Sequence, residues 1–328
     1  MTAASLIKRA PQNGLQPIDL SRHLGGIARL VELCFGEELD AQGRGLIREM
    51  QFLSRAGPAL PLLSALAFGG HQPWNLGFVW VESGRVVGTV STQRATRQST
   101  TWLIANVAVH PDERRRGIAL ALMRATLDLI RSHGGGEAIL QVDDDNLGAV
   151  ALYQGLGFAR VATRTTWMRA AHAAPPPHQP SAYDIRLRAP KEWGAQLALA
   201  SLVRPEGLAW NHPLRAQNFQ PSLAKWLDLF FSGRTEEHWV AEAQRRLLGS
   251  LTVRTQGADG DEMTLLVHPS VQGQLERPML TRGLRRLGRR PWPARLEHAA
   301  DDTHAASALR DLGFQARRTL RWMRAAIR

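Results

Sequence analysis

The segment Val107–Met123 combines three features that together could bind a phosphate group. An apolar strand is predicted to end at Pro111, a basic turn follows, and an amphipathic helix begins directly after Gly117. The first turn of a helix has free N–H groups and a partial positive charge, which suit phosphate or pyrophosphate. Gly117 lets the backbone approach a ligand or adopt a left-handed conformation. The turn could instead be a solvated loop, but its place between strand and helix favours phosphate contact, to which three arginines add charge: Arg114, Arg115 and Arg116.

A second pattern follows downstream, and the two patterns together resemble the GNAT acyltransferase superfamily. The first motif is R-x-x-G-x-A, formed by Arg114, Gly117 and Ala119 after a Val-x-Val-x-Pro strand. The second is N-x-x-A-x-x-L-Y-x-x-x-G-F, which runs from Asn146 to Phe158. The resemblance implies an acetyl-CoA-dependent N-acetyltransferase that moves an acyl group directly to an amine, with acetyl-CoA as the acyl donor and with no metal.

The resemblance also implies roles for individual residues. Val107, Ala108 and Val109 would present backbone groups to the pantetheine arm of the coenzyme, where their strand splays from its neighbour. Asn146 would hydrogen-bond that arm, and Tyr153 would lie near the sulfur. The remaining contacts would be loop support from Arg114 and the pyrophosphate-binding amides of Arg115, Arg116, Gly117, Ile118, Ala119 and Leu120.

The implied role of Tyr153 is chemically sound. A phenol has a pKa near 10 and is protonated at neutral pH, so it can donate to a departing thiolate whose thiol has a pKa near 8.5. Tyr153 could instead be a packing residue. The chain has only one other tyrosine, Tyr183, and Tyr153 stands at the motif position of the proton donor, which favours the catalytic role.

Two other residues have structural alternatives. Asn146 could equally cap the helix that follows it. Cys34 lies among apolar residues and is predicted to be a core thiol, so no acyl-enzyme is expected.

The general base is less well defined. Many relatives of this fold keep a glutamate on the strand before the turn, whereas residues 103–106 contain no carboxylate. Asp143, which follows the next predicted strand, is the nearest catalytic candidate, and the alternative for it and its neighbours Asp144 and Asp145 is a solvated strand end. Glu37 and Glu38 are weaker candidates. A water chain or a partly neutral amine would remove the need for a base, and residues 36–73 are expected to contact the acceptor.

The order of the predicted elements indicates a mixed sheet with helices on both faces, which is an α/β fold of the mixed α+β kind. The apolar patterns predict two helices, a hairpin closed around Gly84, and then strand, helix, strand, helix and strand. The predicted elements are helices 24–35 and 39–54, strands 78–81, 86–90 and 102–109, a helix from 118, strand 139–142, helix 147–156 and strand 161–169.

The second half of the chain repeats this order. Three short segments recur in sequence: Val109–Pro111 as Val267–Pro269, Leu156–Phe158 as Leu312–Phe314, and Trp167–Arg169 as Trp322–Arg324. The repeat indicates a tandem duplication. The expected organisation is a flexible N-terminus (1–14), an active domain (15–170), a Pro- and Ala-rich linker (171–182) and a second domain (183–328). The elements expected in the second copy are helices 192–203 and 223–231, strands 238–241, 247–253 and 263–267, helix 278–287, strand 295–298, helix 305–312 and strand 317–323.

The second copy keeps the predicted fold but loses the motif residues. Gln272, Leu275 and Arg277 stand where the first copy has its Arg, Gly and Ala, and Asp302 and Leu309 replace the asparagine and the tyrosine. Glu276 would bring negative charge toward a phosphate, and Pro278 removes an amide. The second copy is therefore predicted to be a degenerate GNAT-like domain without coenzyme.

Composition limits the other possibilities. The 328 residues carry a net charge of +12 and are 44% hydrophobic, which suits two globular domains. One cysteine excludes an internal disulfide framework and a cysteine zinc site, so the cytoplasm is the expected compartment. No apolar run is long enough to predict a membrane span.

The alternative function is a non-catalytic acyl-CoA sensor or a nucleic-acid-binding regulator on the same fold. Its contact patch would consist of Arg285, Arg286, Arg289 and Arg290. No aromatic residues interleave with that patch, so a nucleic-acid partner is not favoured. The expected partner is a small-molecule or peptide amine, and the oligomeric state stays open.

Overall fold

The computed structural model describes residues 13–36, 41–55, 76–96, 99–203, 214, 216–257 and 260–327. Contacts divide the chain into two compact units. Unit 1 comprises Met1–Gln141, Ala151–Ala159 and Arg324–Arg328, and unit 2 comprises Val142–Val150 and Arg160–Met323. The expected flexible N-terminus falls mainly on residues 1–12, which lie outside the described residues.

Unit 1 contains a sheet in which strands neighbour each other in chain order. Its strands are β1 (Gly14–Pro17), β2 (Leu76–Glu82), β3 (Arg85–Arg94), β4 (Thr101–Val109) and β5 (Glu137–Asp143), the last up to residue 141. The first three pairings are antiparallel, and β4 pairs with β5 in parallel. The helices are α1 (Leu20–Phe35), α2 (Ala41–Leu53), α3 (Ile118–Ser132) and the second half of α4 (Leu147–Gly155). Since a parallel pair needs a crossover connection, α3 links β4 to β5.

Local sequence explains where the helices of unit 1 begin and what they bury. The Asp19 carboxylate accepts a hydrogen bond from the Ser21 N–H at 3.0 Å and caps α1. The apolar face of α1 contributes Ile27, Ala28 and Val31 to a buried cluster. Residues 87–92 of β3 are all buried, which requires cover on both faces of the strand, and α1 and α3 both pack on β3.

Unit 2 contains the second set of elements. Its strands are most of β6 (Ala159–Arg169), β7 (Asp184–Leu187), β8 (Thr235–Ala243), β9 (Arg246–Thr255), β10 (Asp261–Val267), β11 (Ala294–Ala299) and β12 (Phe314–Ala326) up to residue 323. They lie in the order β12-β6-β11-β10-β9-β8-β7. The helices are α5 (Trp193–Val203), α6 (Ala216–Phe219), α7 (Leu223–Ser232), α8 (Glu276–Leu287) and α9 (Thr303–Asp311). The apolar sides of α8 and α9 pack against the strands in one core that includes Trp167, Leu251 and Leu280.

Part of the last strand of each sequence copy belongs to the unit that holds most of the other copy. β6 ends the first copy, yet it pairs with β11 inside unit 2, with Trp167 opposite Leu296. The C-terminal residues belong to unit 1, where the Ile327 N–H donates to the Gly136 carbonyl at 2.9 Å. A strand's own sequence specifies which of its faces is apolar but not which strand it joins, so the pattern alone does not define these partners.

The structure confirms the predicted fold class and the predicted order of the long helices and strands. The prediction missed β1 and β7, which are four-residue edge strands with little apolar pattern. Among the described residues, no helix is long and apolar enough to cross a membrane.

Candidate functional site

The two parallel strands of unit 1 separate before they end. β4 pairs with β5 from Thr101 to Ile104, and no pairing follows on that side, although β4 continues to Val109. In the described part of unit 1, backbone groups at this end of β4 therefore lack a strand partner on that side, and the Val109 carbonyl accepts from Arg114 and Cys34 instead. This is the splay that the family resemblance implied for Val107, Ala108 and Val109.

A β-bulge lies in the same part of β4. The pairing of β3 with β4 skips from Thr89↔Ala108 to Ser91↔Ala105, so two residues of β4 stand opposite one residue of β3. Asn106 has a φ of 54°, a left-handed conformation that is uncommon outside glycine and is best tolerated by asparagine and aspartate. A bulge bends its strand and redirects the residues beside it.

The basic turn that follows β4 contains two left-handed residues. Arg115 has a φ of 61° and Gly117 a φ of 80°, directly before α3. No described acceptor takes a hydrogen bond from any of the six amides from Arg115 to Leu120. A Cβ on Gly117 would meet nothing within 4 Å, so the space beside the turn is open. Six free N–H groups in an open turn at a helix N-terminus form an anion-binding concavity.

The three arginines of the turn differ in their contacts. The Arg114 Nε donates to the Val109 carbonyl at 3.2 Å, which ties the turn to the end of β4. Arg116 pairs with Glu82 at 2.9 Å and also with Glu113. These hydrogen bonds raise the pKa of Arg116, and the Arg116 guanidinium lowers the pKa of Glu82. Arg115 is exposed and has no partner among the described side chains.

Tyr153 is held in the interior of unit 1. Its side chain is 4% exposed and its ring lies 6.1 Å from that of Phe158. Burial raises the pKa of Tyr153 to about 12. The phenol therefore stays protonated throughout the neutral and mildly alkaline range.

Asn146 and Asp143 belong to unit 2. The Asn146 Oδ1 accepts from the Ala149 N–H at 3.1 Å, which confirms the capping role that the sequence left open. Both carboxylate oxygens of Asp143 accept from Arg318, at 2.6 and 2.8 Å. Both oxygens of this carboxylate are therefore occupied by one ion pair. The contacts of Asp143 therefore favour the structural alternative over the general-base role, and Glu37 and Glu38 lie outside the described residues.

Comparison with known proteins identifies the family. The acetyltransferase (GNAT) family model matches residues 44–158. N-alpha-acetyltransferase RimI of Mycobacterium tuberculosis is 32% identical over 125 residues, which are 34% of this chain and 77% of that protein. This chain belongs to the GNAT acetyltransferase family.

Other relatives match a shorter part of the chain. N-alpha-acetyltransferase 30 of Schizosaccharomyces pombe is 34% identical over 92 residues, 27% of this chain and 61% of that protein. The match therefore spans less than two thirds of that relative's length.

Two solved structures share the fold across the chain. A GCN5-related N-acetyltransferase from Sphaerobacter thermophilus has a TM-score of 0.62 at 17% identity, with 96% of this chain and 95% of that chain covered. A tandem GNAT protein from the clavulanic acid biosynthesis pathway has a TM-score of 0.53 at 18% identity, with 96% and 98% covered.

The second copy lacks these features of the first. The pairing of β9 with β10 is regular, with no bulge. Leu275, at the place of Gly117, has a right-handed conformation and is fully buried. Glu276, in the first turn of α8, is 1% exposed, and neither of its carboxylate oxygens has a hydrogen-bond partner. The ring of His304 lies 3.0 Å from the place of a Cβ on Gly273, so side chains fill the space beside this turn.

The arginine patch of the alternative function is largely engaged within unit 2. Arg285 donates to the Pro176 carbonyl at 3.1 Å, and Arg286 pairs with Glu237 at 2.6 Å. Arg290 pairs with the buried Asp261 at 2.6 Å. These contacts use the charge that nucleic acid would need, so they do not support the patch as a nucleic-acid interface.

Sequence reasoning missed three residues of this site. Asn106 hydrogen-bonds to Ser91 at the bulge, and Glu82 pairs with Arg116 of the turn. One signal was present in the sequence: asparagine is a residue that tolerates left-handed backbone, and it stands on an otherwise apolar strand. The role of Glu82 has no local signal, because its partner lies 34 positions away.

Proposed function

We propose that this protein is an acetyl-CoA-dependent N-acetyltransferase whose active site lies in the first GNAT copy. The observation that carries the proposal is the run of six amides from Arg115 to Leu120 that donate to no described acceptor. Two residues of this run, Arg115 and Gly117, have left-handed backbone. A pyrophosphate offers enough acceptor oxygens to satisfy such a run, and few other cellular groups do. The similarity to N-alpha-acetyltransferases supports this assignment.

The contacts of the turn suggest a separate role for its amides and for each of its three arginines. The six amides bind the pyrophosphate, and Arg115 supplies a free positive charge beside it. Arg114 holds the turn to the end of β4. Arg116 is held by two carboxylates and shapes the turn instead of contacting the ligand.

Acyl transfer then uses the open end of β4. Bound acetyl-CoA supplies an acyl group as a thioester. Backbone N–H groups at this end of β4 that face away from β3 stabilise the thioester oxygen as it gains charge. Tyr153 donates a hydrogen bond to the leaving sulfur, since its raised pKa keeps the phenol protonated. Asn146 contacts the arm of the coenzyme in addition to capping α4.

Direct transfer without an acyl-enzyme is consistent with Cys34. Its Sγ lies 3.6 Å from the Val109 carbonyl, in the same unit as the turn. Burial raises the pKa of the Cys34 thiol, which disfavours the thiolate that a covalent mechanism needs.

The acceptor is proposed to be the α-amine of a peptide or protein N-terminus. Asp143, the nearest candidate for the expected base, is bound by Arg318 through both carboxylate oxygens, so we propose an acceptor that needs no dedicated base. An α-amine has a pKa near 8 and is neutral about 300 times more often at pH 7 than a lysine amine. Such an acceptor can lose its proton to water. The names of two relatives, which specify N-alpha and ribosomal-protein alanine acetylation, support this class.

The remaining organisation is proposed as follows. Residues 15–170 carry the active copy, residues 171–182 form a linker, and residues 183–328 form a degenerate copy that binds no coenzyme. A buried carboxylate at the first turn of α8 supports the loss of phosphate binding in that copy, since Glu276 repels an anion. The single cysteine is consistent with a reducing compartment, the cytoplasm.

Gly117→Ala tests the proposal, with Gly134→Ala as the matched control. Both glycines have positive φ at the ends of α3, 80° and 70°, and both have open space around the place of a Cβ. Each substitution therefore strains the backbone by about 1 kcal/mol. Only Gly117→Ala changes the free amides, so we expect it alone to weaken coenzyme A binding by about tenfold or more, measured by titration calorimetry. Equal affinity in both variants, or no binding by the wild type, would refute the proposed site.

A further inference from the structure

β4 carries one residue more than its counterpart in the second copy. From Gly88↔Val109 to Thr92↔Ile104, four steps along β3 match five along β4. From Gly249↔Val267 to Val253↔Met263, four steps along β9 match four along β10. The two copies therefore differ by the single residue that forms the bulge, and the bulge occurs in the copy with the open amide turn.

The additional residue is held by a short chain of hydrogen bonds. The Asn106 Nδ2 donates to the Ser91 Oγ at 2.9 Å, and the Ser91 hydroxyl donates to the Ala105 carbonyl at 3.2 Å. Ser91 is 6% exposed, so these bonds compete little with water. We name this arrangement the Ser91–Asn106 clamp. It ties β3 to both residues at the start of the bulge.

We propose that the Ser91–Asn106 clamp positions the bulge so that the backbone of Val107–Val109 faces the coenzyme. The inference rests on the proposed function and deepens it. Asn106 contributes twice, because its backbone tolerates the left-handed conformation and its amide reaches Ser91. Neither residue touches the reacting atoms in this account; both are positioning residues that act through residues 107–109.

A purely structural role would give a different pattern of effects. Thr92, the neighbour of Ser91 on β3, donates its hydroxyl to the Leu103 carbonyl at 2.8 Å. Thr92 is 2% exposed, and its partner lies in the regular part of β4, before the bulge. Thr92→Val therefore removes the same kind of bond between the same two strands without touching the clamp. It is the matched control for Ser91→Ala.

The test compares Ser91→Ala, Asn106→Ala, Asn106→Gly and Thr92→Val in the full-length chain. The measurements are coenzyme A affinity by titration calorimetry, thermal midpoint, and kcat and KM for acetyl-CoA with a peptide that has a free N-terminal amine. We expect Asn106→Ala to lower kcat/KM by about tenfold, because alanine resists the left-handed backbone. Asn106→Gly keeps that backbone and loses the amide, so its loss should be smaller and close to that of Ser91→Ala. Thr92→Val should lower the thermal midpoint as much as Ser91→Ala and leave kcat/KM within twofold of the wild type.

The outcomes separate the inference from the proposed function. If the wild type binds coenzyme A and Ser91→Ala matches Thr92→Val in every measurement, the clamp has no positioning role and only the inference fails. If the wild type does not bind coenzyme A, the proposed function fails with it. If Asn106→Ala does not fold, the comparison of Asn106→Gly and Ser91→Ala with Thr92→Val decides the question alone.

Discussion

Gly88 of β3 packs directly against α3, and replacing it with alanine should disturb both packing and coenzyme binding. A Cβ at Gly88 would lie 2.9 Å from the Ile118 Cγ2, 3.0 Å from the Leu122 Cδ1 and 3.1 Å from the Trp80 Cβ. Ile118 Cγ2 and Trp80 Cβ are close to their backbones and cannot move far by rotation alone. The helix must therefore shift outward by several tenths of an ångström, and its first turn carries three of the free amides.

The expected magnitudes follow from that geometry. Overpacking of this kind costs about 1–3 kcal/mol of unfolding free energy. The thermal midpoint should fall by roughly 3–9 °C for a unit of this size. Displacement of the amides should weaken coenzyme A binding by about tenfold, since binding groups tolerate little misplacement. Denaturation and titration calorimetry measure the two effects separately.

The second copy supplies the control for this prediction. A Cβ at Gly249 would lie 2.6 Å from the Met279 Sδ and 3.0 Å from the Leu275 Cδ1, so Gly249→Ala crowds the equivalent helix against β9. It should lower stability and leave coenzyme A affinity unchanged. The reasoning is refuted if Gly88→Ala lowers stability and binds coenzyme A as tightly as the wild type.

Three further predictions concern single contacts. Tyr153→Phe should keep coenzyme A affinity and lower turnover by about a hundredfold or more, measured by thiol release. Burial raises the pKa of Tyr153 to about 12, above the value near 10 of an unfolded tyrosine. The contribution of the protonated phenol to stability should therefore be lost as pH rises from about 10 to 12, and the phenylalanine variant should lack this part of the loss. Asp143→Asn and Arg318→Ala should each lower the unfolding free energy by about 1 kcal/mol, and Asp143→Asn should leave kcat within a factor of about two. Glu82→Gln should weaken the hold on Arg116 and raise the dissociation constant of coenzyme A by a few-fold in calorimetry.

Each of these predictions has a contrary outcome. Unchanged turnover in Tyr153→Phe would remove its role as a donor. A large fall in kcat for Asp143→Asn with stability preserved would restore Asp143 as the base. An unaffected dissociation constant in Glu82→Gln would mean that the turn keeps its shape without that ion pair.

The amino-acid sequence was sufficient for the features that depend on neighbouring residues. Glycine at position 117, between an apolar strand and an amphipathic helix, predicts an open turn, and the structure has that turn with a φ of 80°. The long helices and strands follow from apolar periodicity. The duplication is visible because both copies keep the same short segments, and His110 and His268 even make the same contact, each accepting from the N–H two residues on.

Tertiary structure alone determined which residues meet across long stretches of chain. Asp143 stands close in sequence to the second motif, but Arg318, 175 positions away, binds its carboxylate. The three adjacent arginines of the turn cannot be told apart by sequence. Their contacts distinguish them, because Arg114 donates to the Val109 carbonyl, Arg116 pairs with Glu82, and Arg115 has no partner among the described side chains. The bulge in β4 exists as a difference in register between two strands, which no single strand encodes. Periodicity reports whether a residue is buried, whereas pairing depends on the free energy of the whole sheet, so strand partners and ion-pair partners emerge only when the chain folds.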